Sequence, residues 1–331
     1  MRKHGADTQP RQRGRRSYAI GAVILAILAI GLLAGCGSAD KESDEPAARL
    51  AREQTAGSCE APHFPPSTRT PDGEDPLANT VTPTPQPPDP QAVGAPSKAV
   101  AEEVNAAIRN FVNCWNQRKF DAVVTLSTPS LMKSIFVQVK PADLLTDMNG
   151  LPEVLYNIQS LGDLQRHADG RISASIHYIF VHQHRVARWY FIKQDGWWVL
   201  DREARTTPEV AGERSVIDIE GKDYTYVISP NPKAAPVTVL RTHNTGPAPH
   251  EFILVRIKEG LDFDPLRFLQ PGQTYPKEVE FYGQTVLEPG DQEEMVLTDV
   301  QPGQYILLCL LRYPGGIYHP AAGMVSFVEF Q

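Results

Sequence analysis

Apolar side chains recur at steps of three and four through Val100, Val104, Ile108, Phe111, Val112 and Trp115, which places them in one stripe of a helix. Asn116-Gln117-Arg118-Lys119 interrupts the stripe, and 120–126 reads as a second, shorter helix. Further on the pattern becomes strand-like over 172–181, 186–193 and 197–202. Asp195-Gly196 is a tight-turn pair, so the last two runs predict a hairpin. Helices followed by antiparallel strands predict an α+β domain over 98–205. From 206 onward short strand-like runs follow one another with Pro and Gly turns, at 215–219, 224–228, 237–242, 251–257, 294–297 and 305–311. Many short strands at close spacing predict an all-β sandwich over 206–331.

The chain before residue 98 has no such periodicity. Eleven prolines fall between Pro62 and Pro96, with Thr-Pro-Thr-Pro-Gln-Pro-Pro at 82–88. A segment of this kind buries too little to offset chain entropy and favours extended polyproline conformations. Residues 37–97 therefore read as a disordered, Pro-rich stalk, able to hold the folded part on the order of 100 Å from its anchor. Residues 1–16 carry six Arg or Lys against Asp7 alone. Removing that +5 from the net charge of −7 leaves −12 for the rest, which offers no basic stripe for nucleic acid.

An uncharged apolar run over 18–34 follows the basic leader and ends in Leu33-Ala34-Gly35-Cys36. Small residues before a cleavage point suit a signal peptidase. The four positions resemble the bacterial lipobox, in which the thiol is acylated and becomes the new N-terminus. That resemblance implies a signal peptide over 1–36, lipidation at Cys36, and a lipid-anchored protein on the extracytoplasmic face of the cell membrane. An uncleaved transmembrane anchor is the alternative reading of the same run. Either way the basic end stays in the cytoplasm and the remainder lies outside. Gly14-Arg15-Arg16-Ser17-Tyr18 also faintly resembles a twin-arginine export signal.

Two further resemblances concern the folded part. "FVNCWNQRKFDAVVTLSTPSLM" (111–132) and "WYFIKQDGWWVLDRE" (189–203) resemble the nuclear-transport-factor-2-like (SnoaL-like) superfamily across about 98–205. The implied fold is a cone, a curved antiparallel sheet wrapped on helices around a pocket. His177, Tyr178, Trp189 and Asp201 are the groups that could face such a pocket, but core packing is the better reading of them. No diagnostic catalytic set accompanies them, so a small-molecule enzyme ranks last among the readings.

The last domain concentrates the chemistry. Asn244 to His250 is a turn leading into a strand, Cys309 ends a later strand, and His319-Pro-Ala-Ala-Gly-Met324 opens the final one. Two imidazoles and a thiolate offer copper a trigonal compromise between its two oxidation states, and a weak thioether caps it. "PHEF" (249–252), "PGQYILLC" (302–309) and "HPAAGMV" (319–325) resemble the cupredoxins, the plastocyanin and azurin family, across about 215–331. The resemblance implies a Greek-key sandwich holding one type 1 copper ion, with His250 and His319 as imidazole ligands, Cys309 as thiolate and Met324 as axial ligand. His243, at the end of the preceding strand, competes with His250. The gap from Cys309 to His319 is longer than in small electron carriers of the family. Cys309 among leucines also suits a buried inert thiol, in which case the sandwich holds no metal.

Leu308 and Leu310 flank Cys309, whereas oxidases couple their blue site to a second centre through a histidine beside the cysteine. His182-Gln183-His184 lies in the other domain and reads as solvated side chains at a turn. A one-electron carrier is therefore expected rather than an enzyme. Tyr318, Pro320, Ala321 and Ala322 would form a small apolar patch near His319 for brief docking of a redox protein. A metal-free binding or scaffolding lipoprotein is the alternative. Cys59 and Cys114 remain, either paired in an oxidising compartment or with Cys114 a buried free thiol.

Overall fold

A computed structural model describes residues 57–62, 89–136, 139, 142–222, 224–261, 263–269, 275–312 and 317–331. Cys36, the signal segment and most of the Pro-rich stretch lie outside the described residues. No helix among those described is long and apolar enough to cross a membrane.

Helix α1 (Lys98–Asn116) begins where Ser97 Oγ accepts from Val100 N–H, and it buries Val104, Ile108, Phe111, Val112 and Trp115. It stops where Arg118 turns left-handed, at φ 56°. Three short helices follow, α2 (Phe120–Thr125), α3 (Pro129–Ile135) and α4 (Leu144–Gly150). Thr128 caps α3, with proline in its first turn.

Strand β1 (Ala92–Gly94) belongs to the stretch expected as stalk, yet it pairs with β2 (Tyr156–His167). Residues 57–62 are likewise held. The structure joins Cys59 to Cys114 of α1, and Asn110 exchanges hydrogen bonds with the Glu60 backbone at 2.9 and 2.6 Å. The stalk expected to run to residue 97 is thus structured at both of its described pieces, because side chains of α1 and the edge of β2 satisfy their backbone groups.

Strand β2 continues into an antiparallel meander of β3 (Ile172–Phe180), β4 (Gln183–Gln194) and β5 (Trp197–Thr206). β4 and β5 are joined across Asp195 and Gly196, both at positive φ, which is the geometry a tight two-residue hairpin demands.

The later strands are β6 (Arg214–Lys222), β7 (Thr225–Ile228), β8 (Val237–Asn244), β9 (His250–Ile257), β10 (Val279–Leu287), β11 (Gln292–Thr298), β12 (Gly303–Leu308) and β13 (Val325–Phe330). They divide between two facing sheets. The first continues the meander in the order β1-β2-β3-β4-β11-β8-β6-β7, with β5 also on β4. β6 and β8 are parallel, and Val296 and Leu297 of β11 pair with His184 and Gln183 of β4. The second sheet has the order β10-β9-β12-β13.

The inner strands β9 and β12 of that second sheet are buried on both faces. Phe252 and Leu254 of β9, with Tyr305 and Leu307 of β12, face Ile217, Leu240, Met295 and Leu297 of the first sheet. The alternate residues Ile253, Val255, Ile306 and Leu308 join the core formed by α1 and the meander. A strand covered on both sides has no reason to alternate, which explains the unbroken runs Phe252-Ile-Leu-Val255 and Tyr305-Ile-Leu-Leu308. The boundary expected after residue 205 falls at the end of β5, inside one continuous sheet.

Candidate metal centre

Two donors of the site adjoin the inner strands β9 and β12 of the second sheet, and the third lies in the turn that leads into β13. His250 opens β9, and the loop before it is built by Asn244, a fully buried side chain. Asn244 Nδ2 donates to the carbonyls of Ala248 and Leu287 at 2.8 and 2.9 Å, while its Oδ1 accepts from Gly246 N–H. Gly246 has no side chain for a reason of space, since a Cβ there would lie 2.7 Å from His250 Nε2.

Cys309 sits one residue beyond β12, and its N–H donates to the Met324 carbonyl. His319 begins a 3-10 turn (His319–Ala322) that Gly323 ends at φ 110°. The segment expected to open the final strand is therefore this turn, and β13 starts only at Val325. The long gap from Cys309 to His319 is pinched shut by a bridge between Arg312 and Tyr318 and by His319 N–H donating to the Leu311 carbonyl at 2.8 Å. These contacts keep the histidine beside the cysteine despite the length of the gap.

His250 Nδ1 lies 3.3 Å from His319 Nδ1, which in turn lies 3.1 Å from Cys309 Sγ. One ligand atom from each residue falls within 4.8 Å of the others, and all three residues are buried. Two imidazole nitrogens and one sulfur converge on a point that solvent does not reach. This is the donor set of a single type 1 copper site. Met324, fully buried, belongs to the same core cluster as Cys309, and its N–H donates to the His319 carbonyl at 2.9 Å.

The electrostatics suit a cation. Burial, with His250 beside it, pushes His319 down to about 4, so the ring keeps a free lone pair at neutral pH. Burial and then the nearby Glu251 push the Cys309 thiol well above its ordinary value. Only a bound cation would displace its proton. Glu251 itself was not expected from the sequence. Its N–H donates to Cys309 Sγ at 3.2 Å, and its Oε2 accepts from Leu310 N–H at 2.9 Å, so it ties β9 to the cysteine loop. Burial lifts that carboxyl to about 7, against the pull of the Leu310 bond. Strand alternation after a buried His250 would have turned Glu251 toward water, which is why pattern alone misses it.

The other candidates lie elsewhere. His243 is exposed on β8, opposite Gln292 and remote from the buried donors. His182 and His184 are half-buried rather than freely solvated. His182 stacks on Tyr282 at 4.1 Å, and His184 Nε2 meets Thr298 Oγ1 at 3.2 Å, because β10 and β11 close over the hairpin. Tyr178 and Trp189 are core side chains that both donate to Glu203, at 2.5 and 3.2 Å. Asp201 pairs with Arg171, and His177 contacts His184. Near His319, Ala321 and Ala322 are exposed, Tyr318 is half-buried and Pro320 is buried.

No family model and no curated protein matches the chain. Among solved structures, dithionite-reduced auracyanin from Roseiflexus castenholzii is 21% identical, with 37% of this chain and 99% of that one covered at a TM-score of 0.25. Auracyanin A, a "blue" copper protein from Chloroflexus aurantiacus, is 15% identical over 29% of this chain and 87% of that one, at 0.23. A multicopper oxidase from Campylobacter jejuni is 8% identical over 54% of this chain and 51% of that one, at 0.22. The site stands on its own side chains rather than on these likenesses.

Proposed function

We propose that this chain is a lipid-anchored, extracytoplasmic one-electron carrier of cupredoxin type. The convergence of His250 Nδ1, His319 Nδ1 and Cys309 Sγ in a buried pocket is the observation that supports the reading. His250, Cys309, His319 and Met324 would hold the metal, and a copper ion there would supply a one-electron couple. The protein's part is rigidity. His250 and Cys309 extend from β9 and β12, two inner strands packed on both faces, and His319 is tied to that frame through the Leu311 carbonyl, so the ligand frame resists rearrangement. Glu251 N–H moderates the sulfur's charge by hydrogen bonding to it. The exposed Ala321 and Ala322 beside His319 are where a redox protein would dock. The first half is read as a nuclear-transport-factor-2-like module that covers the outer face of the ligand sheet, and Cys36 as the lipid anchor.

Because β9 and β12 are covered on both faces, one of them by α1 and the meander, the test belongs on the full chain and not on 206–331. Copper added to the purified protein is expected to give one ion per chain and an intense visible thiolate-to-Cu(II) band that bleaches on one-electron reduction. Cys309→Ser removes the band. A colourless wild-type protein without stoichiometric copper overturns the carrier reading and leaves a metal-free binding or scaffolding protein.

A further inference from the structure

Strands β6 and β7 meet in a tight hairpin whose register pairs Lys222 with Thr225, and Tyr224 lies in its turn. Such turns favour Gly or Asn, which tolerate positive φ. Tyr224, directly before β7, is held there at φ 66°. A bulky residue held left-handed is strained, and strain of this kind persists where the surroundings over-determine it. The surroundings here are the metal ligands. The Tyr224 ring stands edge-on to His319 at 4.8 Å and 70°, and edge-on to His250 at 6.3 Å and 82°. It packs against the core cluster that contains Cys309 and Met324. The Tyr224 carbonyl is 3.6 Å from where a Cβ on Gly323 would lie, so the turn sits directly on the ligand loop. Aromatic edge-to-face contacts are directional, and two on two imidazoles constrain both ring planes.

We propose that Tyr224 is a positioning residue of the metal centre. Its left-handed backbone swings the ring over both imidazoles, fixing their planes and shielding His319 from water. The proposal rests on the copper reading above. It explains why a residue unsuited to the turn stands where glycine would be less strained.

Tyr224→Gly and Tyr224→Phe in the full chain test it. The glycine variant is expected to melt within a few degrees of wild type when metal-free, since relief of the left-handed strain offsets lost packing. Its copper affinity should fall about 10- to 100-fold, the usual cost of removing a group that orients a ligand, and its visible band should shift. Tyr224→Phe should restore affinity and band together. Wild-type affinity and an unmoved band in Tyr224→Gly overturn the proposal. So does a loss of metal-free stability in step with affinity, which marks a merely structural role, and so does a Phe variant as impaired as Gly. A wild-type protein with no band at all is a separate outcome that removes the copper reading instead.

Discussion

His250 and His319 meet Nδ1 to Nδ1 at 3.3 Å, and His177 and His184 meet Nε2 to Nδ1 at the same distance. The two pairs differ in where their remaining nitrogens and neighbours point. In the first pair, His319 Nδ1 faces both His250 and the Cys309 sulfur, so three donors share one focus. In the second, His184 turns Nδ1 to His177 and Nε2 to Thr298 Oγ1, on opposite sides of its ring. Those contacts diverge, and among the described residues His250, Cys309 and His319 are the only group of three or more His, Cys, Asp or Glu that could hold an ion. A metal site is thus made by convergence of donors, not by histidines lying close together. The divergent pair does a different job, since His184 links the β3–β4 hairpin to β11 and so helps fasten the meander to the later strands.

The largest effect that separates the pairs is metal-linked stability. A ligand that binds only the folded state at about 100 times its Kd adds about 2.7 kcal/mol. Copper at that excess should raise the melting temperature of the wild type and of the His177→Ala/His184→Ala double variant alike. Cys309→Ser and His319→Ala should show no such rise. A copper-dependent rise lost in the His177/His184 variant would break the comparison.

Next in size is the pH response of the joint. Burial lowers the pKa of His177, and burial followed by His177 lowers that of His184, against a smaller upward pull from Asp299; Glu280 faces the adjacent His182. The folded state therefore binds fewer protons than the unfolded chain below the ordinary histidine value of about 6.5. Stability rises with pH through that window and is lost as pH falls from about 6.5 toward the folded values. His319 contributes a slope of the same sign in the metal-free protein, so the informative quantity is a difference. Urea midpoints measured from neutral pH downward should fall less steeply in His177→Asn/His184→Gln than in wild type. Equal slopes would show that the joint histidines do not resist protonation.

What the sequence reveals follows from the same distinction between local and convergent order. The α1 stripe and the Asp195-Gly196 hairpin are legible because helix period and turn chemistry are local. Strand β2 is not, since bulges at Ile158/Ser160 and Gly162/Gln165 break its alternation. The runs in β9 and β12 announce burial without naming what covers the second face, which here is supplied by α1 and the meander. Cys309, His319 and Met324 stand out because they share one short stretch of chain, with His250 marked by its turn. Tyr224 and Glu251 carry no such mark. Their importance comes from contacts with residues dozens of positions away, as does the enclosure of His182 and His184 by strands that arrive about a hundred residues later.

Thr298→Cys asks the sharpest question for the smallest expected effect. It places a thiol where Thr298 Oγ1 now lies, 3.2 Å from His184 Nε2, so that two histidines and a cysteine adjoin as they do at the metal centre. Loss of the hydroxyl contact should cost no more than about 1 kcal/mol. No second copper and no added visible intensity should appear, because His177 occupies the far nitrogen of the same ring and cannot reach an ion bound at Nε2. The measurement is copper stoichiometry and band intensity per chain in the Thr298→Cys, Cys309→Ser double variant, which has no thiolate at the original site. An intense band there would mean that proximity alone suffices and that the direction of donor atoms is not what distinguishes the two pairs.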